Sequence, residues 1–147
     1  MDKYCIKDYL AYPVRYSFDK EAGVYTAYFR DFDTSTQADE EKDLKRVAED
    51  FLVLSGMVNP RNHEMIPAAT KPEDGEEVIS ISPTLALKFI LRNAMTSKNL
   101  RPADLARLMG MSTQSVAALL DVYRTGTRFD ALYRALEACS AEVTVNL

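Results

Sequence analysis

Residues 99–121 read NLRPADLARLMGMSTQSVAALLD, and the rest of the chain is organised around this stretch. Leu105, Ala106 and Met109 recur at helical spacing and give a first helix one apolar face. Gly110 ends that helix, Met111 enters the corner, and Ser112 opens a second helix with Val116, Leu119 and Leu120 on its inner face. Two helices that cross steeply need a small residue where their axes approach, which Ala106 supplies, and Gly110 can take the left-handed conformation that turns the chain. The outward positions of the second helix are Thr113, Gln114, Ala117, Ala118 and Asp121. These short or amide-bearing side chains suit a DNA major groove. The spacing predicts a helix-turn-helix, with an ordinary αα-hairpin in a bundle core as the alternative. Pro102 fits the first helical position, but no Ser, Thr, Asp or Asn precedes it as a cap. Asp104 in the first turn compensates in part through the helix dipole.

The chain has 147 residues, 47% of them hydrophobic, enough to bury a core in one domain or two small ones. Its amino terminus, MDKYCIKDYL, lacks the basic-then-apolar order of a signal peptide, and no apolar run is long enough to span a bilayer, so a cytoplasmic protein is expected. Cys5 and Cys139 match no metal or redox spacing and read as reduced thiols, while a single histidine, His63, argues against histidine-based metal sites. Neither a cofactor nor a metal is expected. The formal net charge of -4 is unevenly distributed. Residues 1–83 carry ten Lys and Arg against seventeen Asp and Glu, whereas residues 84–147 carry eight against five. Electrostatics therefore direct a nucleic acid to the carboxyl-terminal half and leave the acidic half free to meet a basic partner.

Upstream, Tyr12, Val14, Tyr16 and Phe18 alternate with Pro13, Arg15 and Ser17, the period of a half-buried strand. The polar run Asp19–Gly23 forms a turn, and Val24 to Phe32 resumes the strand pattern with Tyr25, Ala27 and Phe29 on one face, which together predict a β-hairpin. A third short strand falls near Thr34 to Gln37. Asp39 is placed to cap a helix whose Leu44, Val47, Ala48, Phe51 and Leu52 form one stripe, with Gly56 where it stops. Residues 63–67 read as a possible short strand, 68–76 as a loop, and Val78 to Ile81 as a last strand, central because it is apolar. Ser82-Pro83 is a cap and first-position proline for an almost wholly apolar helix to Ser97. Thr127 is placed to cap a final helix with Phe129, Leu132, Tyr133, Leu136 and Cys139 on one face.

The tail, residues 142–147, alternates like a strand in a region that reads as all-helical. An unpaired strand exposes donors and acceptors, so it is expected to pair with its counterpart in a second subunit, with a return to the chain's own amino-terminal sheet as the alternative. The fold class is thus α+β: a small antiparallel sheet with one covering helix (residues 1–82), then an all-α helix-turn-helix domain with a C-terminal dimerisation strand (residues 83–147).

The order of these elements resembles a HicB-type antitoxin over residues 12–147. The resemblance rests on Tyr12-Pro13-Val14, the run GVYTAYF from Gly23 to Phe29, the helix reaching Phe51, Met65-Ile66-Pro67, the strand VISISP from Val78 to Pro83, and DLARLMG from Asp104 to Gly110. The segment from Asp31 to Ala38 lacks the family's Pro and Gly, and residues 1–11 extend beyond its usual start. The resemblance implies an incomplete ribonuclease-H-like amino-terminal domain that binds a HicA-type mRNA-cleaving toxin, with Tyr25, Phe29, Asp31 and Asp33 as candidate contacts. It also implies a carboxyl-terminal domain that binds operator DNA and represses the operon as a homodimer or dimer of dimers. Carry-over from repressor-type helix-turn-helix motifs makes Thr113, Gln114 and Ala118 base-facing, Ser112 and Ser115 cap or phosphate positions, and Arg124 and Arg128 phosphate partners.

A ribonuclease-H-like fold can hold two metal ions on carboxylates, which makes a nuclease the enzymatic alternative. Asp19, Asp31 and Asp33 read instead as solvated loop acids, so no catalysis is expected. A stand-alone, phage-like repressor without a toxin partner is the other binding alternative.

Overall fold

Alternating apolar residues in the first hairpin dictate a sheet that must bury one face, and the computed structural model, which describes residues 2–57 and 64–145, shows how it does so. Strand β2 (Ala11–Asp19) pairs antiparallel with β3 (Val24–Phe29), and β3 pairs antiparallel with β4 (Thr34–Ala38). The hairpin closes on Gly23 at φ 69, whose N–H donates to the Asp19 carbonyl at 2.8 Å. Helix α1 (Glu41–Ser55) covers one face of the sheet. Leu44, Ala48 and Leu52 are buried there with Ala27 and Phe29, and the Phe29 ring stacks on Phe51 with centroids 4.9 Å apart. Leu85, Phe89 and Ile90 from beyond the sheet join the same continuous core.

Strand β5 (Glu77–Ser80) pairs antiparallel with β2, giving the order β4-β3-β2-β5. It is therefore an edge strand and not the expected central one. Only Ile79 faces the core, while Val78 is 48% exposed on the opposite side. Helix α1 also differs at its start, because Glu40 and not Asp39 occupies the N-cap, without a side-chain hydrogen bond. Gly56 follows α1 at φ -72, in the ordinary helical region. The glycine is required by proximity: a Cβ there would lie 2.6 Å from the Phe89 ring and 2.7 Å from a Val122 methyl.

Residues 64–67 form no strand, and His63 lies outside the described residues. Ile66 is nevertheless buried, its N–H donating to Asn93 Oδ1 and its carbonyl accepting from Asn93 Nδ2, both at 2.8 Å.

Helix α2 (Pro83–Ser97) follows β5 after only Ile81 and Ser82, and the Ser82 hydroxyl accepts from the Leu85 N–H at 3.1 Å, as its sequence predicts. Helices α4 (Thr113–Leu120) and α5 (Phe129–Ala138) pack on it, and α3 (Pro102–Met109) packs against both of them. The N-cap of α5 is Arg128, not Thr127, whose hydroxyl is buried without a hydrogen-bond partner. The inner face of α5 consists of Leu132, Ala135, Leu136 and Cys139, whereas Phe129 and Tyr133, expected on that face, are 56% and 57% exposed.

The largest departure concerns the two ends of the chain. Strand β6 (Ala141–Thr144) pairs in parallel with β1 (Asp2–Cys5) of the same chain, from Asp2 opposite Ala141 to Cys5 opposite Thr144. The tail thus has an intrachain partner and does not need a second subunit to satisfy that edge. Residues 2–9, which show no sequence period, fold as β1 and a 3₁₀ turn that buries Ile6 and Tyr9 beside α2. The Ser97 hydroxyl donates to the Asp2 carboxylate at 2.8 Å and fastens β1 to the end of that helix.

Candidate functional site

The α3–α4 pair is built by local capping. Lacking a capping side chain before it, α3 uses Asp104, which accepts from the Arg101 backbone N–H at 2.8 Å and also pairs with Arg107. That backbone hydrogen bond, reinforced by both arginines, holds the Asp104 carboxyl below the usual carboxylate range. Gly110 lies at φ 64, ψ 36, and the Met111 N–H returns to the Ala106 carbonyl at 3.0 Å, so the chain reverses within one turn. Ser112 caps α4 by accepting from the Ser115 N–H at 3.1 Å, and the two hydroxyls lie 2.9 Å apart.

Helix α4 then divides cleanly. Val116, Leu119 and Leu120 are buried, Ala106 is 4% exposed at the approach of the two helices, and Thr113, Gln114 and Ala117 are exposed. Ser112 and Ser115 join Thr113 and Gln114 at the exposed amino end, while Ala118 is half-buried. Arg124 and Arg128 are both exposed in the segment after α4. Arg128 donates to Asp130 at 3.2 Å, which offsets part of its charge.

Two residues of this region escaped the sequence reading. Lys88 in α2 is fully buried and donates to the carbonyls of Asp121 at 2.6 Å and Arg124 at 2.8 Å; Arg92 donates to the Leu120 carbonyl at 3.2 Å. Burial pushes the Lys88 ammonium below its usual range. The only sequence signal is a pair of cations four residues apart in an otherwise apolar helix.

In the amino-terminal half the four candidate contacts diverge. Tyr25 is half-buried against Phe18, with ring centroids 4.6 Å apart, beside the groove formed by Leu44, Glu41, Glu77 and Val78. Phe29 is fully buried, so its ring supports the sheet and does not reach the surface. The Asp31 side chain is 5% exposed and accepts from the Thr70 N–H at 3.0 Å and its hydroxyl at 2.7 Å. Asp33 is exposed at φ 47 and accepts from the Tyr28 hydroxyl at 2.8 Å. Arg30 locks the 64–76 loop onto the end of β3, reaching Glu76 at 3.0 Å, Thr70 at 2.8 Å and the Lys71 carbonyl at 3.1 Å. Asp19, for its part, accepts from the N–H groups of Glu21 and Ala22.

Among the described residues no group of three or more His, Cys, Asp or Glu side chains is placed to hold a metal ion. No helix among them is long and apolar enough to cross a membrane. An apolar groove is lined by Leu87, Phe129, Tyr133, Leu136, Val143 and Val145.

A helix-backed sheet continuous with a helical half, each presenting its own exposed surface, defines a mixed α/β protein with two candidate contact sites. The chain belongs to the HicB-like antitoxin family: residues 11–90 match the family described as HicB_like antitoxin of bacterial toxin-antitoxin system. It is similar to antitoxin HicB 1 of Photorhabdus laumondii, 23% identical over 99% of this chain and 91% of the relative. Antitoxin HicB of Escherichia coli is 23% identical over 92% of this chain and 98% of its own length, and antitoxin HicB 2 of P. laumondii is 28% identical over 88% and 90%. Membership assigns the protein an antitoxin role in a toxin–antitoxin system and implies a toxin partner.

Proposed function

We propose that this antitoxin neutralises a HicA-type mRNA-cleaving toxin through an incomplete ribonuclease-H-like half and, through α3–α4 acting as a helix-turn-helix, binds operator DNA to repress its own operon. It does so in the cytoplasm, without enzymatic activity of its own. The observation that carries the DNA reading is the division of α4: an apolar face held by the core and a face of Thr113, Gln114 and Ala117 left to solvent. Eight Lys and Arg against five Asp and Glu in residues 84–147 favour the approach of phosphate to this half.

The acidic half suits a basic ribonuclease, and complementary charge speeds and orients such an encounter. Tyr25 and Asp33 are its surface-reaching candidates, with Asp31 acting through the loop it holds. A homodimer forms across the apolar groove beside β6. Phe129 and Tyr133 are more than half exposed there, and β6 is bonded on one side only in its two-stranded sheet. A two-fold pairing buries both features at once. Co-expression with the adjacent reading frame, followed by pull-down, mass measurement and an operator-binding assay, tests the whole reading. A complex that shifts operator DNA supports it, and operator binding without any toxin partner would favour a stand-alone repressor.

A further inference from the structure

The carboxyl end of α4 is terminated unlike the other helices. α1, α2, α3 and α5 each return the N–H of the capping residue to carbonyls of their last turn. α4 instead runs into Asp121 in extended conformation, at φ -68 and ψ 107, and residues 121–128 contain no helix or strand. Two cations one turn apart on α2 meet this end from outside: Arg92 donates to the Leu120 carbonyl at 3.2 Å, and Lys88 donates to the carbonyl of the capping residue Asp121 at 2.6 Å and to that of Arg124, in the segment that follows, at 2.8 Å. Cations at a helix carboxyl terminus also complement its dipole.

This is a costly way to end a helix. Lys88 is fully buried, and among the described residues both of its hydrogen-bond acceptors are uncharged carbonyls. An ammonium so placed loses its hydration, and the charge of Asp121 offsets only part of that loss. What the arrangement provides is direction. Buried Val116, Leu119 and Leu120 define how α4 is rolled against the core, while the cations hold its far end at a set depth against α2. An eight-residue helix is a rigid rod about 12 Å long, so displacement of the clamped end tilts the end that carries Thr113 and Gln114. Hydrogen bonding to a base edge is lost over displacements of well under about 1 Å.

We propose that Lys88 and Arg92 are positioning residues for operator recognition, fixing the angle at which α4 meets DNA without touching DNA themselves. This rests on the DNA-binding reading above. The test measures, by fluorescence anisotropy on the full chain, affinity for the operon's own promoter duplex and for a random duplex of the same length, with circular dichroism as a check of folding. For K88M and R92Q we expect the operator-to-random preference to fall about tenfold or more, the scale of a lost bidentate base contact. Random-duplex affinity and helix content should stay close to wild type. A merely stabilising role would lower both affinities together and leave the ratio alone. A wild-type preference retained by both variants overturns the positioning role and leaves the DNA reading intact. A wild-type protein with no preference overturns both. If K88M does not fold, the R92Q ratio decides.

Discussion

The side-chain amide of Asn93 closes on both backbone groups of Ile66, accepting from its N–H and donating to its carbonyl at 2.8 Å each. A side chain thereby does what a neighbouring strand would do, and residues 64–67 dock against α2 without becoming β-structure. The same amide nitrogen reaches the Tyr9 hydroxyl at 3.3 Å, so three separate segments meet at one buried residue.

Asn93→Leu keeps the volume and removes all of these bonds. Each buried backbone group left unpaired costs about 1–3 kcal/mol. The variant should lose at least about 2 kcal/mol in urea unfolding, on the same basis. A midpoint equal to wild type would show that water or another donor replaces the amide.

Gly56 and Gly110 should respond to alanine for opposite reasons. At Gly56 the added methyl meets Phe89 and Val122 at 2.6 and 2.7 Å, an overpacking worth about 1–3 kcal/mol. At Gly110 nothing lies within 4 Å, and the cost is the left-handed backbone alone, about 1–2 kcal/mol. Gly110→Asn, whose residue tolerates that conformation, should recover part of the loss, whereas Gly56→Asn should be worse than Gly56→Ala; thermal melting compares them.

Gln114→Ala should cost roughly 1–3 kcal/mol at the operator and little on random DNA, as for any residue that reads a base edge. Arg128→Ala should weaken both and lower the slope of log affinity against log salt. Equal losses of Gln114→Ala on both duplexes would mean that Gln114 contacts no base.

Deleting residues 142–147 removes most of β6 and, with it, the cover of β1. Phe129→Glu leaves that sheet intact and charges the groove beside it. If the groove joins two copies, both variants should run as monomers in a mass measurement, and only the deletion should also lower thermal stability. A Phe129→Glu protein of unchanged mass would remove the dimer from this face.

Alkaline pH should lower the stability of the protein. Burial pushes the Cys139 thiol from 9.0 to about 11, and burial together with Asp2 pushes Tyr4 from 10.0 to about 12. Both groups are neutral when folded, so their contribution is complete below the unfolded values and is lost as pH rises through the folded ones. Urea midpoints should therefore be flat up to about pH 9 and fall beyond it. Cys139→Ala should delay the onset of that fall, and an onset unchanged in this variant would show that the thiol does not drive it.

The sequence by itself determined the elements whose signals are local. The strand at Tyr12–Phe18, the stripe of α1, the Ser82-Pro83 start of α2 and the Ala106–Gly110–Ser112 turn each depend on residues within a few positions of one another, and each forms as read, except that the strand's alternation fails at its two ends, where Pro13 is buried and Phe18 is 48% exposed. The exposed set on α4 was legible for the same reason, since helical period alone separates Thr113 and Gln114 from Val116 and Leu119. Only the tertiary structure decided which partner each element meets. It placed β5 at an edge, joined β6 to β1 across almost the whole chain, withdrew Phe29 into the core, and turned Lys88, Arg92 and Asn93 inward onto backbone carbonyls. Backbone acceptors are the same at every position and leave no mark in the residue string, so a side chain that seeks them can be recognised only once the chain is folded around it.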